Sequence, residues 1–175
     1  MRGRLALFLL CSASALAVAD EPVCQPTDEA TQAALNALRA RAQRCGDQLW
    51  PAVPALKVNA VLSESARRYA QELARRDRID HVGEAGLSLR ARLREAGYTL
   101  RVAGENLAGG PETLDEVLAQ WLTSAGHCEN LMGAGFQEFG LACATGPGQY
   151  QRYWVLHLAA PAGLPPVRSS PDRSP

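Results

Sequence analysis

Apolar residues recur along the chain at two distinct spacings. Leu62, Ala66, Tyr69 and Leu73 lie four, three and four positions apart, one face of a helix. That helix should start near Asn59 or Ser63 and end shortly before His81. Upstream, Leu35, Leu38 and Ala42 repeat at helical spacing behind Thr27, a cap residue followed by Asp28 and Glu29. Gly46 would stop this first helix just past Cys45. Residues 46–58 hold Pro51 and Pro54 and read as a loop. A short third helix spans about Ser88 to Ala96, with Leu89 and Leu93 inward and Gly97 as its stop. Thr113 and Glu116 form a capping box ahead of Leu114, Val117, Leu118, Trp121 and Leu122, a helix stopping near Gly126.

The period then changes to two. Phe139, Leu141 and Cys143 alternate with Gly140, Ala142 and Ala144. Gly146-Pro147-Gly148 is a turn, and Tyr150 to Leu158 pairs back as a hairpin. A short strand is also expected around Val102. Helices first and strands later indicate an α+β or layered α/β/α domain. Its extent is residues 27–160, enough to bury a core alone.

Both ends differ from this body. Met1-Arg2-Gly3-Arg4, the apolar run from Leu5 to Leu10, and Ala17-Val18-Ala19 follow the order of a cleaved secretory signal, residues 1–19. The run is shorter than the roughly 20 residues of a spanning helix. No transmembrane segment is expected once it is removed, and the destination is the periplasm or the exterior. Residues 161–175 carry five of the eleven prolines and read as a disordered tail.

Export changes the charge and the cysteine count. The chain has 18 basic and 18 acidic residues. Losing Arg2 and Arg4 leaves 16 basic against 18 acidic, a formal charge of −2. With no basic excess, nucleic acid is not an expected partner. Losing Cys11 leaves Cys24, Cys45, Cys128 and Cys143. An even number in an exported chain indicates two disulfides, with three pairings open. Pairing neighbours in sequence gives Cys24–Cys45 and Cys128–Cys143. No Cys-x-x-Cys spacing favours a zinc site instead.

Candidate chemistry rests on few residues. His157 falls inside the last strand, where a packing or edge role is expected. His81 (Asp80-His81-Val82-Gly83) and His127 (Gly126-His127-Cys128-Glu129-Asn130) sit beside glycines at helix ends, where scaffolds display functional groups. Gly104-Glu105-Asn106 adds a carboxylate. Two histidines and an acid suit zinc or another divalent cation with an open position, or general acid–base work. There is no His-Glu-x-x-His, no Gly-x-Ser-x-Gly and no phosphate loop.

Taken in order, Leu73 to His81, Leu93 to Tyr98, Gly104-Glu105-Asn106-Leu107-Ala108, Trp121 to Met132, Phe136 to Gly140 and Tyr153-Trp154 resemble the bacterial branch of the CAP superfamily, the SCP domains. The resemblance covers about residues 30–160. It implies an α/β fold: one three-layer α/β/α sandwich with helices on a small, mainly antiparallel sheet. It also implies a cleft with two histidines, His81 and His127, and two acids. Glu105 matches one acid, while Ala91, just before Arg92-Leu93, stands where the family has the other. Cys128 and Cys143 would brace the second-histidine segment. The function so implied is a secreted, monomeric binding module for a ligand, lipid or partner protein. It requires no cofactor; the two histidines, His81 and His127, with Glu105 as a further candidate ligand, form the expected site for zinc or another divalent cation. The alternative is a metal-assisted hydrolase, peptidase or esterase-like, using the same cleft.

Overall fold

The computed structural model describes residues 24–163. The expected leader, residues 1–19, and the tail beyond residue 163 lie outside that range.

Helix α1 (Asp28–Arg39) starts as its sequence dictates, with the Thr27 hydroxyl accepting from the Ala30 amide. It stops six residues before Cys45, contrary to expectation. The buried Arg39 ends it, its guanidinium donating to the Pro54, Leu131 and Gly133 carbonyls. Gly46 has φ +59°, but it serves the two-residue turn of a hairpin, β1 (Gln43–Cys45) and β2 (Gln48–Trp50). Strand β3 (Lys57–Val58) lies within the expected loop. Helix α2 (Ala60–Arg76) begins where its apolar stripe requires, with Asn59 as its cap. Helix α3 (Leu89–Glu95) follows the Ser88 cap, and Gly97 behind it has φ +88°.

Strand β4 (Leu100–Gly109) is longer than the short strand expected around Val102. Gly104, Glu105 and Asn106 have poor strand propensity, but pairing along β6 (Arg152–Pro161) overrides it. Helix α4 (Leu114–Thr123) has its capping box in place. It ends before Gly126 because Ser124 is extended (φ −101°, ψ 122°). That residue then caps a separate helix, α5 (Ala125–Leu131). Strand β5 (Glu138–Thr145) completes the expected hairpin with β6.

The main sheet has the order β3-β5-β6-β4 and is antiparallel except between β3 and β5. Side chains of β6 alternate between its faces. Trp154, Leu156 and Leu158 join Leu35 of α1, Trp121 of α4 and Leu131 of α5 in one cluster. Tyr153 and Val155 meet Tyr69, Ala70 and Leu73 of α2 on the other face. Leu93 of α3 and Leu62 pack with Ala159 there. The result is the three-layer α/β/α sandwich. Close packing of α2 depends on Gly140, where a Cβ would stand 2.1 Å from the Ser63 nitrogen.

The disulfides correct the expected pairing. They join Cys24 to Cys143 and Cys45 to Cys128, not Cys24 to Cys45 or Cys128 to Cys143. Cys45 ends the first strand of the β1–β2 hairpin, which packs on α5, placing its Cα 5.3 Å from that of Cys128. Cys24 lies beside β5, with Cα atoms 5.7 Å apart. Proximity in sequence failed because both N-terminal segments fold over the C-terminal half. Closing loops of 119 and 83 residues is worth about 4–5 kcal/mol each in the chain-entropy account.

Candidate functional site

Glu105 is the centre of the site. Strand alternation turns it toward the layer of α2 and α3, opposite Asn106. Its side chain is 3% exposed, and three groups bind its two oxygens. Arg92 of α3 reaches Oε2 at 2.5 Å, His157 Nε2 reaches Oε2 at 3.0 Å, and His81 Nδ1 reaches Oε1 at 2.8 Å. Burial raises the carboxyl pKa. The hydrogen bonds from His157 and His81, with the Arg92 charge, overcome this and hold it at about 2.

His157 is fully buried on β6, between β5 and β4. The expected packing role holds; the edge alternative does not. Desolvation lowers its pKa against the opposing pull of Glu105. It is therefore neutral, donating from Nε2, and its Nδ1 has no partner among the described residues. A second proton there would be a buried donor without an acceptor. Sequence reasoning did not include His157 in the site. The usable signal is its register opposite Glu105 across β4 and β6.

Arg92 was also not singled out. Leu89, Arg92 and Leu93 share the inward face of α3, so a charge at this spacing needs a buried partner. Besides Glu105, Arg92 donates to the carbonyls of His81 at 3.2 Å and Leu87 at 2.9 Å. Its guanidinium lies 3.5 Å from the Tyr69 ring centre. It thereby fixes both ends of the loop that displays His81. Helix α2 holds the same loop: the Tyr69 hydroxyl donates to the Asp80 carbonyl, and Glu72 accepts from the Glu84 amide at 2.8 Å.

His81 is 60% exposed at its side chain, with Nδ1 turned to Glu105. Its hydrogen bond to the Glu105 carboxylate raises its pKa, more than burial lowers it. When neutral, His81 donates from Nδ1 and keeps a lone pair on Nε2. His127 stands in the first turn of α5 rather than in a loop. Desolvation lowers its pKa, helped by the charge of nearby His81. A small network fixes its segment. Asn106 donates to the His127 carbonyl at 3.0 Å, Asn130 joins Asn106 Oδ1 at 2.9 Å and the Glu105 carbonyl at 3.2 Å, and Cys128 is bridged to Cys45. Gly104 admits this packing, since a Cβ would meet the Phe136 ring at 2.8 Å and Asn130 Oδ1 at 3.0 Å.

Ala91 supplies no second acid, and neither Glu84 nor Glu95 pairs with a histidine among the described residues. Among the described residues, no group of three or more His, Cys, Asp or Glu is arranged to hold a metal ion. No helix of the described residues is long and apolar enough to cross a membrane.

A disulfide-braced α/β/α sandwich with two histidines disposed about a buried glutamate defines the class. Residues 32–158 match the family model of the cysteine-rich secretory protein (CAP) family, and the chain belongs to that family. It is 31% identical over 86 residues to the protein YkwD of Bacillus subtilis, covering 49% of this chain and 34% of that one. An extracellular SCP-domain protein of Bacillus anthracis superposes with TM-score 0.62 at 21% identity, over 75% of this chain and 39% of that one. An outer surface protein of Borrelia burgdorferi superposes with TM-score 0.61 at 19% identity, over 79% of this chain and 98% of that one. This chain thus covers little more than a third of the two Bacillus proteins.

Proposed function

We propose that the protein is an exported binding module that presents His81 and His127 beside the Glu105–Asn106 strand segment, and that it is not built for hydrolysis. The observation that carries this is the state of Glu105. A carboxylate held at about 2 by two histidines and an arginine is a weak base and has no oxygen free of a partner. Its role is to orient His81. Ala91 offers no second acid, and Ser124 makes no side-chain hydrogen bond at the start of α5. Export is supported by the leader pattern, by two disulfides, and by relatives described as extracellular or outer-surface proteins.

A divalent cation suits His81 and His127 alone. Its protein donors would be His81 through Nε2 and His127, with water completing the shell. Glu105 would then act behind His81, as carboxylates do behind metal-bound histidines. Calorimetric titration of zinc into the wild type and His81→Ala/His127→Ala tests this. One ion bound by the wild type and none by the double variant is expected. Equal binding by both, or none by the wild type, overturns the cation site. Hydrolysis of a peptide or ester panel that disappears in His81→Ala would overturn the binding reading.

A further inference from the structure

We propose that the outer edge of β5, at the far side of the sheet from the histidine cleft, is a slot for an extended segment of a partner polypeptide, bound by strand addition. Strand β3 pairs only with Glu138 and Phe139, yet β5 runs on to Thr145. Odd-numbered residues of β5 turn their peptide groups away from β6, by the alternation of an antiparallel ladder. The Asn59 amide uses the first of these, at the Phe139 carbonyl. A side chain uses the next two. The Gln25 carboxamide donates to the Leu141 carbonyl at 3.3 Å and accepts from the Cys143 amide at 2.8 Å. These are the two bonds that a peptide group of an added strand would make. The Cys24–Cys143 disulfide pins this amide in place. Thr145, next in the row, has no outward backbone partner among the described residues.

The edge lies at the bottom of a groove. A cavity of about 630 Å³ follows Leu141 to Thr145, walled by Ala60, Glu64, Arg67 and Gln71 of α2 and flanked by Gln25 and Asp28. A second cavity of about 300 Å³ adjoins it at Gln71 and Thr145 and continues to Pro147. Together they follow β5 from Leu141 to the turn at Pro147. Ala142 and Ala144 line the slot with small side chains, leaving its width free. The lining is more apolar than polar, and its charges balance, Asp28 and Glu64 against Arg67 and Arg75. The occupant is therefore an uncharged segment in β conformation, held mainly by its backbone.

The probe is a fluorescein-labelled octapeptide of alternating threonine and serine, with a control in which every second amide is N-methylated. Binding is read by anisotropy and by amide chemical shifts. The expected result is binding of the first peptide only, with shifts concentrated at Leu141–Thr145. Removing the competing carboxamide in Gln25→Ala should tighten binding about ten- to a hundredfold, since its two hydrogen bonds no longer have to be displaced. His81→Ala should bind as the wild type does, separating this slot from the cleft. Failure of both peptides to bind, equal binding of the N-methylated control, or dimerisation of Gln25→Ala in sedimentation without peptide would each overturn the proposal.

Discussion

Arg92 and Glu105 form an ion pair in which both side chains are more than nine-tenths buried, one on α3 and one on β4. The pair joins the layer of α2 and α3 to the sheet where, among the described residues, a carboxylate is buried in the core. Arg92 also holds the His81 loop by two carbonyls, so the same contact that neutralises Glu105 positions the histidine in front of it. Charge compensation and display of the cleft are a single arrangement.

Breaking that pair from either side leaves a buried charge without its partner. Arg92→Ala and Glu105→Ala should each destabilise the fold by about 3–5 kcal/mol in urea unfolding at neutral pH. Arg92→Lys should recover only part of this, because an ammonium cannot serve two carbonyls and a carboxylate in one plane. A loss below 1 kcal/mol for both alanine variants would show that water already reaches the pair.

Acid should unfold the protein in two stages. His157 has a folded pKa below its ordinary value, so the unfolded chain takes up its proton first. Its stability contribution is present above about pH 6.5 and is lost as pH falls below that value. Glu105 also has a lowered pKa, so its contribution is present above about pH 4.5 and lost toward about 2. His81 has the opposite sign. Its raised pKa gives stability that is present in acid and lost as pH rises through the folded value. Thermal melts from pH 8 to pH 3 should show both losses, and His157→Gln should remove the first. An unchanged first stage in that variant would assign it to other groups.

The two cleft histidines should titrate in a fixed order. Glu105 raises His81, while desolvation and the His81 charge lower His127, so His81 keeps its proton to higher pH. Ring-proton NMR against pH resolves the two curves. Glu105→Gln should bring His81 down, since the amide carries no charge. The reverse order in the wild type would mean that His81 does not face Glu105 in solution.

Elements whose information is local were legible in the sequence. The Thr113–Glu116 capping box and the α2 stripe each act within one or two turns, and each stands where the pattern puts it; of the two starts open to α2, the structure takes the one at Asn59. The same holds for the β5–β6 hairpin with its Gly-Pro-Gly turn. What failed depended on contacts distant along the chain. Residues 40–45 look helical until Arg39 finds the carbonyls of residues 131 and 133. Glu105 looks like a turn residue until β6 pairs along it. His81, Glu105 and His127 were found through a resemblance and small neighbouring glycines, and the structure sets His81 directly on Glu105. Arg92 and His157 escaped because a buried charge and a strand histidine reveal their role only through what they face.

The two disulfides should act differently on the two edges of the sheet. Non-reducing peptide mapping should recover Cys24–Cys143 and Cys45–Cys128, and recovery of Cys128 with Cys143 would contradict the fold described. Cys45→Ser/Cys128→Ser releases α5, which also depends on the Arg39 guanidinium at its last carbonyls. Loss of about 4 kcal/mol is expected from loop closure. Amide exchange in residues 125–131 should rise with it, as His127 loses its brace. Cys24→Ser/Cys143→Ser should cost a similar amount, because its loop is longer still. Its exchange increase should instead fall on Leu141–Thr145, where Gln25 leaves the β5 edge. Uniform changes in both variants would mean that the bridges stabilise the chain globally and position neither segment.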